Sequence, residues 1–406
     1  MTSAELAQKY GLVRNSGEKL LLVVLDGLGG MSHPITGLTE LETAYTPTMD
    51  LLAAQGACGL IDPIKRGLVP GSGLAHLSLF GYDTFKYPIG RGSIAAYGIG
   101  FDMQDSDVAV RVNFCTAAED GTITDRRAGR IPTDTCRALC ERLDTITLSG
   151  NIDVFVKPVR EHRAVVIFRG SGLTAEAKDT DPGAVGSKPL PLWDDAGGSR
   201  PPIVQAAEEF QNKAWQILKE QNPANAVVMR GFATKPKLPS MNNCYGLNAA
   251  CIAVYPDYKG ICRMVGMEIV DVKGETIADE FKTLAAVWKD HDFVFLHVKK
   301  TDSYGEDGDF DAKVGVIEDA DRVLAQAMDL SPDVMVVTGD HSTPAQMASH
   351  SAHPVPILYW GQWVRPDLVE HFGETECGVG SLGRFDGSAM MLEALAYTGR
   401  LDKFGA

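Results

Sequence analysis

The stretch VVTGDHSTPA, residues 336–345, closes an apolar run on an Asp-His pair. Residues 334–337 are β-branched apart from Met335, so they read as a buried strand that leaves Asp340 and His341 at its exit. Such a pair makes a turn or caps a helix unless other groups join it. Two more apolar runs end in the same way. Residues 20–25 run into Asp26, and residues 293–298 run into KKTDSYGEDGD, which carries Asp302 and Glu306. With His341 and His353, these make four carboxylates and two imidazoles at or just after strand ends. Oxygen and nitrogen donors in that mixture suit Mn²⁺, Zn²⁺ or Mg²⁺ better than Ca²⁺ or a thiolate-preferring ion. Two such ions about 3.5–4 Å apart are a recurring device for displacement at phosphorus, because one activates the nucleophile while both neutralise developing charge.

The candidate nucleophile is Ser72, in VPGSGLAHLSLFGYD, between two glycines and directly before a helix-like stretch at 74–80. A hydroxyl there meets the free N–H groups and positive dipole end of a helix, which favour an attached phosphate. Coordination to a metal would lower its pKa and make it an alkoxide. An ordinary Ser N-cap fits the same local pattern. Other phosphate and hydrolase signatures fail: GRGSIA at 90–95 fits a loose dinucleotide pattern without a preceding strand, and neither G-x-x-x-x-G-K-[ST] nor G-x-S-x-G occurs.

Strand-like and helix-like runs alternate along the chain, which predicts an α/β fold with a largely parallel central sheet and ligands at the carboxyl ends of its strands. TPTMDLLAAQ, at 46–55, reads as a helix with Thr46 as N-cap and Pro47 first inside. DRRAGR (125–130), REHRAVVIFRG (160–170) and the loop-rich TDPGAVGSKPLPLWDDAGGSRPP (180–202) differ in texture from the flanks. They predict a smaller α/β domain, residues 111–238, inserted into a core made of 1–110 and 239–406.

With 406 residues, of which 45% are hydrophobic, the chain can bury a core large enough for two domains. Its net charge of −15 argues against nucleic acid or an anionic membrane as main partner and is compatible with a local basic pocket. No apolar run approaches the ~20 residues that span a bilayer, and the N-terminal stretch has no apolar signal region, so a cytoplasmic location is expected. Eight cysteines without a CxxC pair are expected as free thiols. Self-association into a homo-oligomer is left open.

Taken in order, LDGLGG, TPTMDLLA, PGSGLAHLSLFGYD, RGSIAAYGIG, DVAVRVNFCT, DRRAGRI, DTDPG, GFATKPKLPSM, KGICRMVGM, KKTDSYGEDGD, TGDHSTPA and SAHPVP resemble the archaeal-type cofactor-independent phosphoglycerate mutases of the alkaline phosphatase superfamily. The match runs over nearly the whole chain. The resemblance implies an alkaline-phosphatase-like core, two divalent cations and no 2,3-bisphosphoglycerate. It implies that Asp26, Ser72, Asp340 and His341 hold the ion that activates Ser72, and that Asp302, Glu306 and His353 hold the other. Ser72 would take the phosphoryl group from 3-phosphoglycerate as a phosphoserine and return it to give 2-phosphoglycerate, the isomerase step of glycolysis and gluconeogenesis. Arg126, Arg127, Arg130, His162, Lys259 and Arg263 would clamp carboxylate and phosphate oxygens, bidentate work that suits Arg. Four departures from the family pattern stand out: Glu306 in place of His, Gly73 in place of an acid, GETIAD near 274, and Cys244 in place of Lys. A related phosphotransferase or phosphomonoesterase on another metabolite, including a homoserine-kinase-like activity, and a non-catalytic metal-binding relative remain alternatives.

Overall fold

The computed structural model describes residues 1–14, 16–194 and 199–405, so part of the expected 180–202 loop, at 195–198, lies outside the described residues. Its strands are β1 (Leu20–Leu25), β2 (Ala57–Asp62), β3 (Asp107–Ala117), β4 (Ile123–Asp125), β5 (Asp153–Arg160), β6 (Arg163–Arg169), β7 (Ala226–Thr234), β8 (Ala249–Ile252), β9 (Glu268–Val270), β10 (Phe293–Val298), β11 (Val334–Thr338), β12 (Val355–Gly361) and β13 (Gly383–Asp386). Two compact units divide the chain, Met1–Pro88 with Leu238–Ala406 and Ile89–Lys237.

The first unit holds an eight-stranded sheet in the order β13-β2-β12-β11-β1-β10-β8-β9. It is largely parallel, and β12 alone runs against both of its neighbours. LLLVVL, FVFLHV and VMVVT are buried at every position, as expected of strands covered on both faces. These three strands are neighbours, β11-β1-β10, and all parallel. Leu25 stands opposite Val298 and Val24 opposite Thr338, so the three chains leave the sheet at the same level. Asp26, the segment holding Asp302, and the Asp340-His341 pair are therefore delivered side by side.

One buried cation fastens these exits. Lys313, on the helix Phe310–Met328, is 0% exposed and donates to Gly27 O at 2.9 Å, Gly29 O at 3.1 Å and Thr343 O at 2.9 Å. Its three N–H bonds thus tie the loop after β1 to the loop after β11. Glu40 balances the charge from 3.9 Å and accepts from Ala345 N at 2.7 Å and Met31 N at 3.3 Å.

The second unit is built on an antiparallel sheet in the order β4-β3-β6-β5, with β7 also pairing with β3. Alternation along β3 splits its side chains between two faces. Val108, Val110, Val112 and Phe114 face the helices Thr133–Leu143 and Pro202–Leu218, while Ala109 faces Ala95 and Ala96 of the helix Arg91–Gly98. The division falls after residue 88 and not after residue 110, because β3 is one uninterrupted strand and the helix Arg91–Gly98 packs on it. Gly92 permits that packing: a Cβ there would lie 2.0 Å from Ala109 O. The GRGSIA glycines thus serve a helix–sheet contact.

Replacing Lys313 by Met keeps the stem but leaves Glu40 and three carbonyls without their cation. Lys313→Met is expected to cost about 3–5 kcal/mol of the first unit's stability, read as a lower denaturant midpoint in metal-free protein.

Candidate metal centre

Asp26 and Asp340 leave adjacent strands, and with His341 they place ligand atoms within 4.8 Å of one another. His341 Nε2 lies 3.3 Å from Asp26 Oδ1 and 3.3 Å from Asp340 Oδ2, and all three residues are 0% exposed. Ser72 Oγ lies 3.1 Å from the same nitrogen. Ser72 is the first residue of the helix Ser72–Leu79 and Gly71 is its N-cap, so the serine hydroxyl is not spent as a cap.

Gly27 N donates to Asp340 Oδ1 at 3.0 Å, but Asp340 Oδ2 and Asp26 Oδ1 are buried without a hydrogen-bond donor. Burial pushes the Asp340 carboxyl well above the usual carboxylate range, and the Asp26 charge adds to it. Burial acts on Asp26 in the same direction, yet the Lys299 ammonium and the neighbouring His297 and His341 rings outweigh it and hold that carboxyl well below the range. Orphaned carboxylate oxygens facing an imidazole nitrogen in a dry site fit a divalent cation.

Asp302, His341 and His350 form a second group with the same closeness, and His341 is common to both. His350 Nδ1 lies 2.8 Å from Pro70 O and donates to it, which leaves Nε2 as the ligating nitrogen, 3.5 Å from Asp302 Oδ1. The His350 ring stacks on His341, centroids 3.7 Å apart.

His353, expected here from the sequence, is not part of this group. It is exposed, with Nδ1 2.9 Å from Ser351 Oγ. Ser351 N donates to Ser342 O at 2.9 Å and Ser342 Oγ donates to His353 O at 3.1 Å, which pins this segment and directs the His353 side chain outward. Glu306 also stands outside both groups. It is exposed on the helix Lys300–Asp307, one turn beyond Asp302, with Oε1 3.9 Å from His350 Nε2. It is a rim carboxylate beside His350.

Several polar neighbours escaped the sequence analysis. Lys299 Nζ sits 3.1 Å from Asp26 Oδ2 and also pairs with Asp302. Burial opposes its charge, but Asp26 and Asp302 raise its pKa well above the ordinary value. His76 Nδ1 donates to Ser72 O at 2.8 Å and lies 3.3 Å from Asp340 Oδ2. Burial pushes its pKa down to about 3. The i,i+4 spacing of Ser72 and His76 was the available signal. His297 Nε2 lies 3.2 Å from Asp26 Oδ2 under the stacked ring of Tyr258, and burial lowers its pKa as well.

The basic candidates divide between the units. In the second, Arg126 is held bidentately by Asp181 at 2.9 and 2.8 Å. Arg127 and Arg130 are exposed on a turn whose residues Ala128, Gly129 and Arg130 all have positive φ (45°, 62° and 54°), braced by Asp125 accepting from Arg127 N at 2.8 Å and Gly129 N at 2.6 Å. His162 is buried. Burial first, then Arg163, Arg127, Arg111 and Arg130, push its pKa down to about 3. In the first unit, Lys259 and Arg263 lie one turn apart on the helix Pro256–Met264, and Lys259 Nζ is 3.6 Å from Asp271. Cys244 is 4% exposed, a core position that gives no grip on a substrate.

The metalloenzyme superfamily pattern matches residues 18–396. A relative from Aquifex aeolicus named "probable 2,3-bisphosphoglycerate-independent phosphoglycerate mutase" is 45% identical over 97% of this chain and 98% of its own. One of the same name from Thermus thermophilus is 43% identical over 99% and 98%. Among solved structures, a protein from Pyrococcus horikoshii superposes with a TM-score of 0.83 at 31% identity, over 97% of this chain and 100% of that one. The cofactor-independent phosphoglycerate mutase from Thermoplasma acidophilum gives 0.67 at 28%, over 94% and 100%.

Two outcomes check this geometry. In Mn²⁺ titrations, His350→Ala should weaken binding by more than the roughly 10–100-fold that loss of an outer partner costs, whereas His353→Ala should bind as wild type does. The second concerns acid. Unfolded chains protonate His162 near the ordinary imidazole value of 6.5, the folded chain only near 3, so stability is lost as pH falls below about 6.5. Denaturation at pH 7 and pH 5 should show a loss of about 2 kcal/mol attributable to this group, and His162→Gln should remove that part of the slope.

Proposed function

We propose, from the premise that this chain belongs to the 2,3-bisphosphoglycerate-independent phosphoglycerate mutase family of the metalloenzyme superfamily, that it interconverts 3-phosphoglycerate and 2-phosphoglycerate through a phosphoserine on Ser72. The observation that carries the proposal is the Ser72 hydroxyl 3.1 Å from His341 Nε2, beside buried carboxylate oxygens that have no donor. Asp26, Asp340, Ser72 and His341 Nε2 would hold one divalent ion, and Asp302 and His350 would line the place of the other. Divalent cations such as Mn²⁺ would supply Lewis acidity there, lowering the serine pKa and offsetting phosphoryl charge.

Ser72 Oγ forms a bond to phosphorus as the bond from phosphorus to the C3 oxygen breaks, and the proton lost by Ser72 ends on that oxygen. The C2 hydroxyl of the retained glycerate then takes the phosphoryl group, and its proton returns to Ser72. The N-terminal N–H groups of the helix Ser72–Leu79 favour the phosphoserine charge. Arg127, Arg130 and His162, with Lys259 and Arg263, are proposed to contribute to substrate binding, while Arg126 acts as a charge already oriented by Asp181. No helix among the described residues is long and apolar enough to cross a membrane. With the acidic charge balance and a small glycolytic substrate, this favours a cytoplasmic enzyme.

The test is turnover of 3-phosphoglycerate coupled to enolase. Ser72→Ala should lose at least roughly 10³-fold in kcat with its melting temperature little changed, and near-normal turnover in this variant would end the covalent mechanism. A trapped phosphoserine in wild type without mutase turnover would point to another phosphorylated metabolite.

A further inference from the structure

Thr343 lies two residues beyond His341, buried at 0% exposure, in the loop fastened by Lys313. Its hydroxyl oxygen is 2.8 Å from Asp302 Oδ1 and 2.9 Å from His341 Nδ1. A hydroxyl has one proton to give, and an ionised carboxylate can only accept. Thr343 therefore donates to Asp302, and His341 Nδ1–H donates to Thr343. That order presents Nε2 to Asp26, Asp340 and Ser72 as the ligating nitrogen. It also orients Asp302, which belongs to the other group. Space around the hydroxyl is closed: Gly27 has φ +63°, and a Cβ added there would lie 2.6 Å from Thr343 Oγ1.

We propose that Thr343 is a positioning residue shared by both metal groups, its single hydroxyl selecting the His341 ring nitrogen that ligates and fixing the Asp302 carboxylate in the same stroke. The proposal rests on the two-metal site described under the proposed function. It assigns a role to a residue outside the ligand set, and it makes the two sites respond together to one side chain.

The experiment is isothermal titration of Mn²⁺ into chelator-treated full-length protein, comparing wild type, Thr343→Val and Thr343→Ser. Val has the shape of Thr without the hydroxyl, and Ser keeps the hydroxyl. Wild type should bind two ions, Thr343→Val should bind both roughly 10–100-fold more weakly, and Thr343→Ser should recover most of the loss. Circular dichroism of the metal-free proteins checks that all are folded, and Thr343→Ala replaces Val if the β-branched apolar side chain is not accommodated. Unchanged affinity in the Val or Ala variant overturns the inference while leaving the site intact. Weakening at one site alone overturns the shared role. Absence of Mn²⁺ binding by wild type would instead remove the two-metal site, and the inference with it. A Val loss that Ser does not recover assigns the effect to packing, not to the hydroxyl, and overturns the proposal as well.

Discussion

Three neighbouring parallel strands that end at one level impose the constraint on which the rest of the structure depends. β11, β1 and β10 are buried throughout, so the polar groups they deliver gather at their carboxyl ends. Asp26, Asp302 and Asp340 are the result, each 2% exposed or less. Burying such charges costs several kcal/mol per ion unless the surroundings compensate. Asp26 and Asp340 show this directly, since one carboxyl is driven up and the other down although burial acts on both alike.

Compensation is distributed over groups that have no obvious motif. Lys299 gives Asp26 and Asp302 a common counter-charge. Lys313 gives the loops their rigidity by binding three carbonyls in place of water, and Glu40 offsets its charge. Pro70 O fixes one ring nitrogen of His350, and Thr343 does the same for His341. Each of these is a second contact that aims a first one, the arrangement that metal-ligating histidines generally need. What remains uncompensated is the set of oxygens on Asp26 and Asp340 nearest His341 and Ser72, which is where a divalent ion fits.

The second unit gathers cationic side chains around one turn. Two non-glycine residues, Ala128 and Arg130, are held at positive φ around Gly129, each at a cost of roughly 1–2 kcal/mol. Asp125 holds the turn by accepting two backbone N–H groups. The strained turn sets Arg127 and Arg130 near a histidine kept neutral by burial and by surrounding guanidinium groups. Backbone strain of this kind persists where the surroundings over-determine it, and it gathers at ligand-binding positions.

Much of this could be read in the chain itself. Uniformly apolar runs with acids at their ends predict a buried parallel sheet and a carboxylate site, because strand periodicity and burial act locally. Ser72 before a helix was legible for the same reason. Choosing between Ser as cap and Ser as free hydroxyl required the backbone, which assigns capping to Gly71. Telling His350 from His353 required the fold, since two histidines three residues apart have equivalent sequence signals: the Ser342–Ser351 clamp faces His353 outward, while Pro70 O holds Nδ1 of His350. The first domain boundary moved for a similar reason: no composition change marks residue 88, and the helix Arg91–Gly98 joins the second unit through a close backbone approach at Gly92. Strand ends and their charges were thus determined by the sequence alone, whereas which histidine joins them and which buried cations aim them depended on contacts between segments distant in the chain, which only the tertiary structure decided.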